Sequence, residues 1–201
     1  MFRNAASDTS SGTMTFILWF LLKNPQAYKR LSTEIRSTFH STEALSNREL
    51  QKVPFLDGCI NEALRLRPPV PSNFIRETPL EGMLINNLFI PGGTVVSTPA
   101  YALMHDSRYW SNPEDFIPER WIENERGNET CTKAAWVPFS YGSRVCIGQS
   151  LAIMELRLIV ATLLLNFDVE CLEENPKEPD WSGVGARGPL PVRMIPIKRE
   201  S

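Results

Sequence analysis

The chain has little from which to build a metal cluster or a covalent framework. Its 201 residues include four cysteines and two histidines. Cys59, Cys131, Cys146 and Cys171 form no C-x-x-C pair, and His40 and His105 lie far apart. Structural zinc needs four closely organised Cys/His ligands, and disulfide scaffolds belong to shorter, cysteine-dense chains. Neither is expected, and the cysteines read as four free thiols in a reducing compartment. Charge of one sign is also missing. With 21 basic and 23 acidic residues and a net charge of −2, nothing invites a nucleic acid or an anionic membrane. Long hydrophobic runs are absent too. The longest, Phe16-Ile-Leu-Trp-Phe-Leu-Leu22, has seven residues, where a membrane span needs about 20. Its leader is long and polar, and Lys23-Asn24-Pro25 offers no small-residue cleavage site. It reads as the buried end of a core helix, and no membrane anchor is expected in this chain.

What remains is an ordinary globular composition, 42% hydrophobic and 22% charged, of a length for one domain or two small ones. Sixteen prolines call for long proline-shaped connections between helices. Helices are predicted over 4–23, 25–39, 54–66 and 147–165 from their apolar spacing. Asn24 and Pro25 suit the cap and first turn of the second helix. Ser46-Asn-Arg-Glu49 is a capping-box pattern that opens a short helix. Arg67-Pro68-Pro69-Val70-Pro71 ends the 54–66 helix, and short strand-like runs follow at 74–76, 83–85, 88–90 and 94–98. Residues 99–105 look helical, and 106–135 mostly loop. A strand over 167–172 and a last one over 190–197 complete the chain. No repeat or low-complexity segment interrupts it. The expected fold is mainly α (α+β), with long helices and one small β-sheet built from 74–98 and the terminal strands.

The segment with most chemical content is Phe139-Ser-Tyr-Gly142-Ser-Arg144-Val-Cys146-Ile-Gly148. It presents one cysteine on a glycine-containing loop just before a long helix. Free N–H groups and a partial positive charge at a helix N-terminus suit a thiolate. Gly142 and Gly148 permit tight turns and close approach of a flat ligand. Arg144, two residues from the cysteine, can point to the same side and pair an anion. A thiolate so placed is a sensible axial ligand for haem iron. A lone cysteine in such a loop would read instead as a structural residue in a turn.

The whole pattern F-x-x-G-x-R-x-C-x-G resembles the haem-binding loop of the cytochrome P-450 haem-thiolate monooxygenases. Other segments fall in the family's order. Glu62-Ala-Leu-Arg65 matches its Glu-x-x-Arg pair, a spacing that puts both side chains on one helical face. Pro118-Glu-Arg120-Trp121 matches its Pro-Glu-Arg-Phe/Trp motif. His105-Asp106 with Tyr109-Trp110 and Asn112-Pro-Glu-Asp-Phe116 is similar to the stretch before that motif. Ala5-Ala-Ser-Asp8-Thr9-Ser10 is similar to the oxygen-activation motif of the central helix, with Ala6 where glycine is usual.

The resemblance spans Ala5 to Ile197 and implies the carboxyl-terminal part of the family's fold, residues 1–201 being a partial domain. It implies that Cys146 ligates haem iron and that Phe139, Gly142 and Gly148 shape the loop. Arg144 and Arg76 are the implied partners of the haem propionates. Asp8 and Thr9 are the implied acid–alcohol pair delivering protons for dioxygen cleavage. Glu62, Arg65 and Arg120 are implied to form a buried charge network. Val70 to Phe74, Ala5 and the Gly183–Gly188 loop resemble substrate-lining positions. The implied reaction inserts one oxygen atom of dioxygen into a small organic substrate, with secondary metabolism a candidate setting. Electrons would come from an NADPH-dependent reductase. The alternative is a truncated haem-binding or structural fragment with no turnover. Full-length eukaryotic members sit at the endoplasmic reticulum membrane, whereas this chain alone would be cytoplasmic.

Overall fold

The computed structural model describes residues 2–123, 131–174, 177–181 and 189–198, with the side chains of residues 2–5 and 73 left aside. The core is made by four helices. Helix α1 (Phe2–Lys23) is polar in its first half and apolar in its second, where Phe16, Ile17, Phe20 and Leu21 are buried. The apolar run is therefore a core helix end, as its length predicted. Helix α2 (Pro25–Thr38) begins one residue later, with proline in its first turn and Leu31 and Ile35 facing inward.

Asn24 does not cap α2 as its side chain suggested. Its Nδ2 donates 2.8 Å back to the carbonyl of Phe20. The Phe20 carbonyl thus accepts both the backbone N–H of Asn24 (3.0 Å) and its side-chain amide, at the end of α1. Ser46 does act as predicted. Its hydroxyl accepts from the backbone N–H of Glu49 at 3.3 Å, opening the short helix α3 (Asn47–Leu50).

Helix α4 (Pro54–Leu66) is the most enclosed element, with Phe55, Leu56, Cys59, Ile60, Ala63, Leu64 and Leu66 all in the core. Gly58 lets the chain at Pro118 come close, since a Cβ there would stand 2.7 Å from the Pro118 carbonyl oxygen. Helix α5 (Ala100–Met104) is short. Helix α6 (Gln149–Asn166) packs Leu156, Val160, Ala161, Leu164 and Leu165 inward. Among the described residues it is the one helix long and apolar enough to cross a membrane. Arg157 ties it to α4 and α3 through Asp57 (2.6 and 2.8 Å) and Asn47 (3.1 Å). Arg36 of α2 closes its far end, donating to the carbonyls of Leu164 (2.8 Å) and Phe167 (3.0 Å) and to Asp168 (2.8 Å). A cation is well placed on those outward-pointing carbonyls.

The single small sheet expected from sequence is three separate antiparallel pairs. Strand β1 (Asn73–Glu77) pairs with β4 (Val95–Pro99), with Asn73 opposite Pro99. Strands β2 (Met83–Ile85) and β3 (Leu88–Ile90) make a hairpin. Asn86 and Asn87 both have positive φ at its turn, as a tight two-residue connection requires. Strands β5 (Phe167–Cys171) and β6 (Val192–Pro196) form the third pair. β5 continues directly from α6 and is docked on the helices. Its Val169 N–H donates 2.8 Å to the Tyr28 hydroxyl. That docking holds it away from the β1–β4 pair.

Candidate functional site

The region 106–135 carries short 3₁₀ turns at Pro118–Trp121 and Lys133–Ala135, and it is anchored by a buried ionic group. Glu62 and Arg65 on α4 and Arg120 in the first of those turns have fully buried side chains. Glu62 accepts from Arg65 Nε and Nη2, from Arg120 Nε and from the Trp121 indole, each at 2.9 Å. It accepts also from the Ile117 backbone N–H at 3.1 Å. Arg65 donates to the carbonyls of Met104 (2.9 Å), Pro113 (2.7 Å) and Asp115 (3.1 Å). Arg120 donates to those of Ser111 (3.0 Å) and Asn112 (3.3 Å). Buried charges persist only with this degree of pairing and hydrogen bonding. The group fastens the loop over 111–117 to α4.

A chain of aromatic rings leads from this group to the cysteine loop. Trp121 packs on Trp136 (centroids 5.6 Å apart), and Trp136 packs edge-on against Phe139 (5.9 Å). The Trp136 indole donates 3.2 Å to the Asn61 carbonyl on α4. Phe139 then holds the loop, because its carbonyl accepts the Cys146 N–H at 2.8 Å. Two residues inside the loop have left-handed backbones, Ser140 (φ 64°) and Gly142 (φ 71°). A Cβ on Gly142 would meet nothing within 4 Å, so it is the torsion that selects glycine there. Gly148 has an ordinary φ of −88°, and a Cβ there would touch the Cys146 sulfur at 3.8 Å.

Cys146 is exposed and lies three residues before Gln149, the first residue of α6. It borders a mostly apolar cavity of about 540 Å³. Thr9, Arg76, Phe139, Arg144 and Gly148 border the same cavity, together with Val70 and Phe74. Arg76 is steered by donation to the Ser140 hydroxyl (3.1 Å) and the Ile75 carbonyl (2.8 Å). Arg144 is exposed. Apolar side chains beside the cysteine stand open, with Ile147 94% and Leu151 50% exposed. A thiol among apolar walls with two guanidiniums on the rim suits a flat apolar ligand that carries carboxylates and a metal with a taste for sulfur.

The other cysteines differ. Cys59 is buried, and burial pushes its thiol well above the usual range. The Cys171 sulfur lies 3.6 Å from the Pro191 carbonyl, and Cys131 sits in a backbone bridge with Trp110. None of the three borders the cavity.

From α1, Thr9, Ser10 and Thr13 border the cavity. The Thr13 hydroxyl donates 2.8 Å to the Thr9 carbonyl, a back-bond that competes with the helical ladder. Asp8 is exposed and is not among the residues bordering the cavity, and neither is Gly142. The Gly183–Gly188 loop lies outside the described residues, as does the side chain of Ala5. Ser10, Thr13, Leu151 and Glu155 also border the cavity. Ser10 closes the Ala5–Ser10 motif and the helical period marks Leu151, whereas Thr13 and Glu155 belong to no short motif.

The helical core, the small antiparallel pairs and a cysteine loop ahead of a long helix define a haem-thiolate class of fold. The match is specific, and the chain belongs to the cytochrome P450 family, whose model covers residues 1–194. It is 38% identical over 96% of its length to cytochrome P450 monooxygenase aclL of Aspergillus oryzae, and 38% identical over 94% to lnbC of Aspergillus flavus. It is 42% identical over 82% of its length to orf5 of Eupenicillium brefeldianum. The chain spans 40%, 38% and 32% of the lengths of these relatives.

Proposed function

We propose that the protein is a haem-thiolate monooxygenase acting on a small organic substrate, with Cys146 as the axial ligand. The observation that carries this is the meeting of Cys146, Thr9, Arg76 and Arg144 around one cavity. Haem bound through a thiolate supplies dioxygen activation, since the thiolate's electron density favours O–O cleavage. The residues do the rest. Arg76 and Arg144 pair the carboxylate edges of the ligand, and Phe139 walls the cavity while its carbonyl fixes the loop. Gly142 supplies the loop's left-handed turn, and Gly148 borders the cavity beside the thiol. Glu62, Arg65 and Arg120 hold the loop from behind through Trp121 and Trp136. Thr9 offers its hydroxyl to the cavity, and Asp8, on the solvent side, takes up protons and hands them inward. The apolar walls exclude water from the reacting atoms.

By the same reading, electrons come from an NADPH-dependent reductase. A setting in secondary metabolism belongs to the same reading. Attachment to the endoplasmic reticulum membrane goes with the resemblance. A second reading, a haem-binding or structural fragment without turnover, is favoured by the exposure of Ile147 and Leu151 beside the cysteine. The two part in a turnover assay with a supplied reductase. The ligand assignment is tested by substitution. Cys146→Ala abolishes the thiolate-type haem spectrum, and Cys59→Ala, Cys131→Ala and Cys171→Ala keep it. A thiolate spectrum retained in Cys146→Ala overturns the assignment.

A further inference from the structure

Pro69 and Val70 border the cavity, and they are held from outside it. They lie in the run Arg67-Pro68-Pro69-Val70-Pro71, which follows directly on α4. Three of these five residues are proline, so the run has few N–H groups with which to anchor itself. Each proline also confines the residue before it to extended backbone. The run is therefore stiff, and whatever fixes Pro68 fixes Pro69 and Val70 with it. Trp181 does so, because its indole N–H donates 2.9 Å to the carbonyl of the buried Pro68. The Arg67 guanidinium lies over the Trp181 ring, 5.2 Å from its centroid, and donates to Glu178 of the same segment. Tyr101 of α5 also packs on Trp181, with ring centroids 5.1 Å apart. Neither Trp181 nor Glu178 borders the cavity.

We propose that Trp181 is a specificity-setting positioning residue, which clamps the Pro69–Val70 wall so that the cavity favours ligands with an apolar ring packed on Val70. Loss of the indole N–H leaves the buried Pro68 carbonyl unpaired and frees the run to shift as a unit. A ligand too small to reach the wall is indifferent to that shift. A ligand whose ring packs on Val70 loses contact area. The effect is thus a change in discrimination between ligands, not a general loss of binding. This rests on the haem-thiolate reading above, and the clamp itself can be read without haem.

The test uses the full chain and its Trp181→Phe, Val70→Ala and double Trp181→Phe/Val70→Ala variants. In the haem-loaded protein, imidazole and N-phenylimidazole are titrated and their Kd values read from the Soret shift. All variants are expected to keep the red-shifted Soret band of the reduced carbon-monoxide form. Trp181→Phe and Val70→Ala each raise the Kd of N-phenylimidazole several-fold and leave that of imidazole unchanged. The double variant does no more than Val70→Ala alone, as expected of residues acting as a unit. An unchanged N-phenylimidazole Kd in Trp181→Phe, an equal weakening of both probes, or effects that simply add overturn the clamp and leave the haem-thiolate reading standing. In the haem-free chain, the methyl order parameter of Val70 is measured by NMR. Trp181→Phe lowers it, while that of Leu164 in α6 stays at the parent's value. An unchanged Val70 value overturns the clamp whether or not haem is held. A parent without the red-shifted band overturns the haem-thiolate reading, and the clamp is then decided by the Val70 methyls alone.

Discussion

Substitution of Glu62 by alanine removes the one acceptor shared by five donors: two on Arg65, one on Arg120, the Trp121 indole and the Ile117 N–H. The two guanidiniums stay in a place with no solvent access. Breaking a buried ion pair by deleting one partner costs about 3–5 kcal/mol. Five orphaned donors at roughly 1–3 kcal/mol each would suggest more. However, Arg65 keeps three backbone carbonyls and Arg120 keeps two, so the loss stays near 4 kcal/mol. At about 1.4 kcal/mol per factor of ten, that is about a thousandfold in the folded-to-unfolded ratio. It is a large part of the roughly 5–15 kcal/mol that holds a domain together. The assay is urea unfolding followed by tryptophan fluorescence, to which Trp110 and Trp121 beside the group should respond. A lowered midpoint with an unchanged slope is expected. A loss below about 1 kcal/mol would refute the claim that this carboxylate anchors the loop.

Three further expectations follow from individual contacts. Gly142→Ala costs about 1–2 kcal/mol by backbone strain at φ 71°, and Gly142→Asn costs less, as urea midpoints will report. Arg36→Ala uncaps the end of α6 and loses its contacts to Leu164, Phe167 and Asp168. It lowers stability by about 2 kcal/mol and speeds amide exchange at 164–168. His105 is held mainly by burial below the ordinary histidine range, despite a ring contact to the Tyr101 carbonyl at 2.9 Å. The unfolded chain therefore takes up the proton first as pH falls. Stability from this group is present above its unfolded value of about 6.5 and is lost as pH falls from there through the folded value. His105→Gln should flatten that part of the stability–pH curve.

The parts visible in the sequence were those set by local spacing. The helices at 4–23, 25–39, 54–66 and 147–165 lie within a few residues of α1, α2, α4 and α6, because apolar period and capping act within a few residues. The strands at 74–98 were similarly legible. Their assembly was not, because β5 is placed by Arg36 and Tyr28, residues of a distant helix. Asn24 shows a finer limit, since one amide can serve the helix before it or the helix after it. In the candidate site, Cys146 and Arg144 stood out by motif, Arg76 by its place after the proline-rich loop, and Glu62 with Arg65 by the i,i+3 spacing. The Trp121–Trp136–Phe139 chain and the Ser10–Glu155 approach carry no local pattern. Ser10 and Glu155 are 145 residues apart in the chain and meet only through the packing of α1 on α6.

The central claim is that Cys146 and the cavity beside it hold a thiolate-ligated haem. It is tested most directly by the reduced carbon-monoxide difference spectrum of the purified protein supplied with haem. A strongly red-shifted Soret band that disappears in Cys146→Ala is the predicted result. No haem uptake, or a band that lacks the thiolate shift, would contradict it.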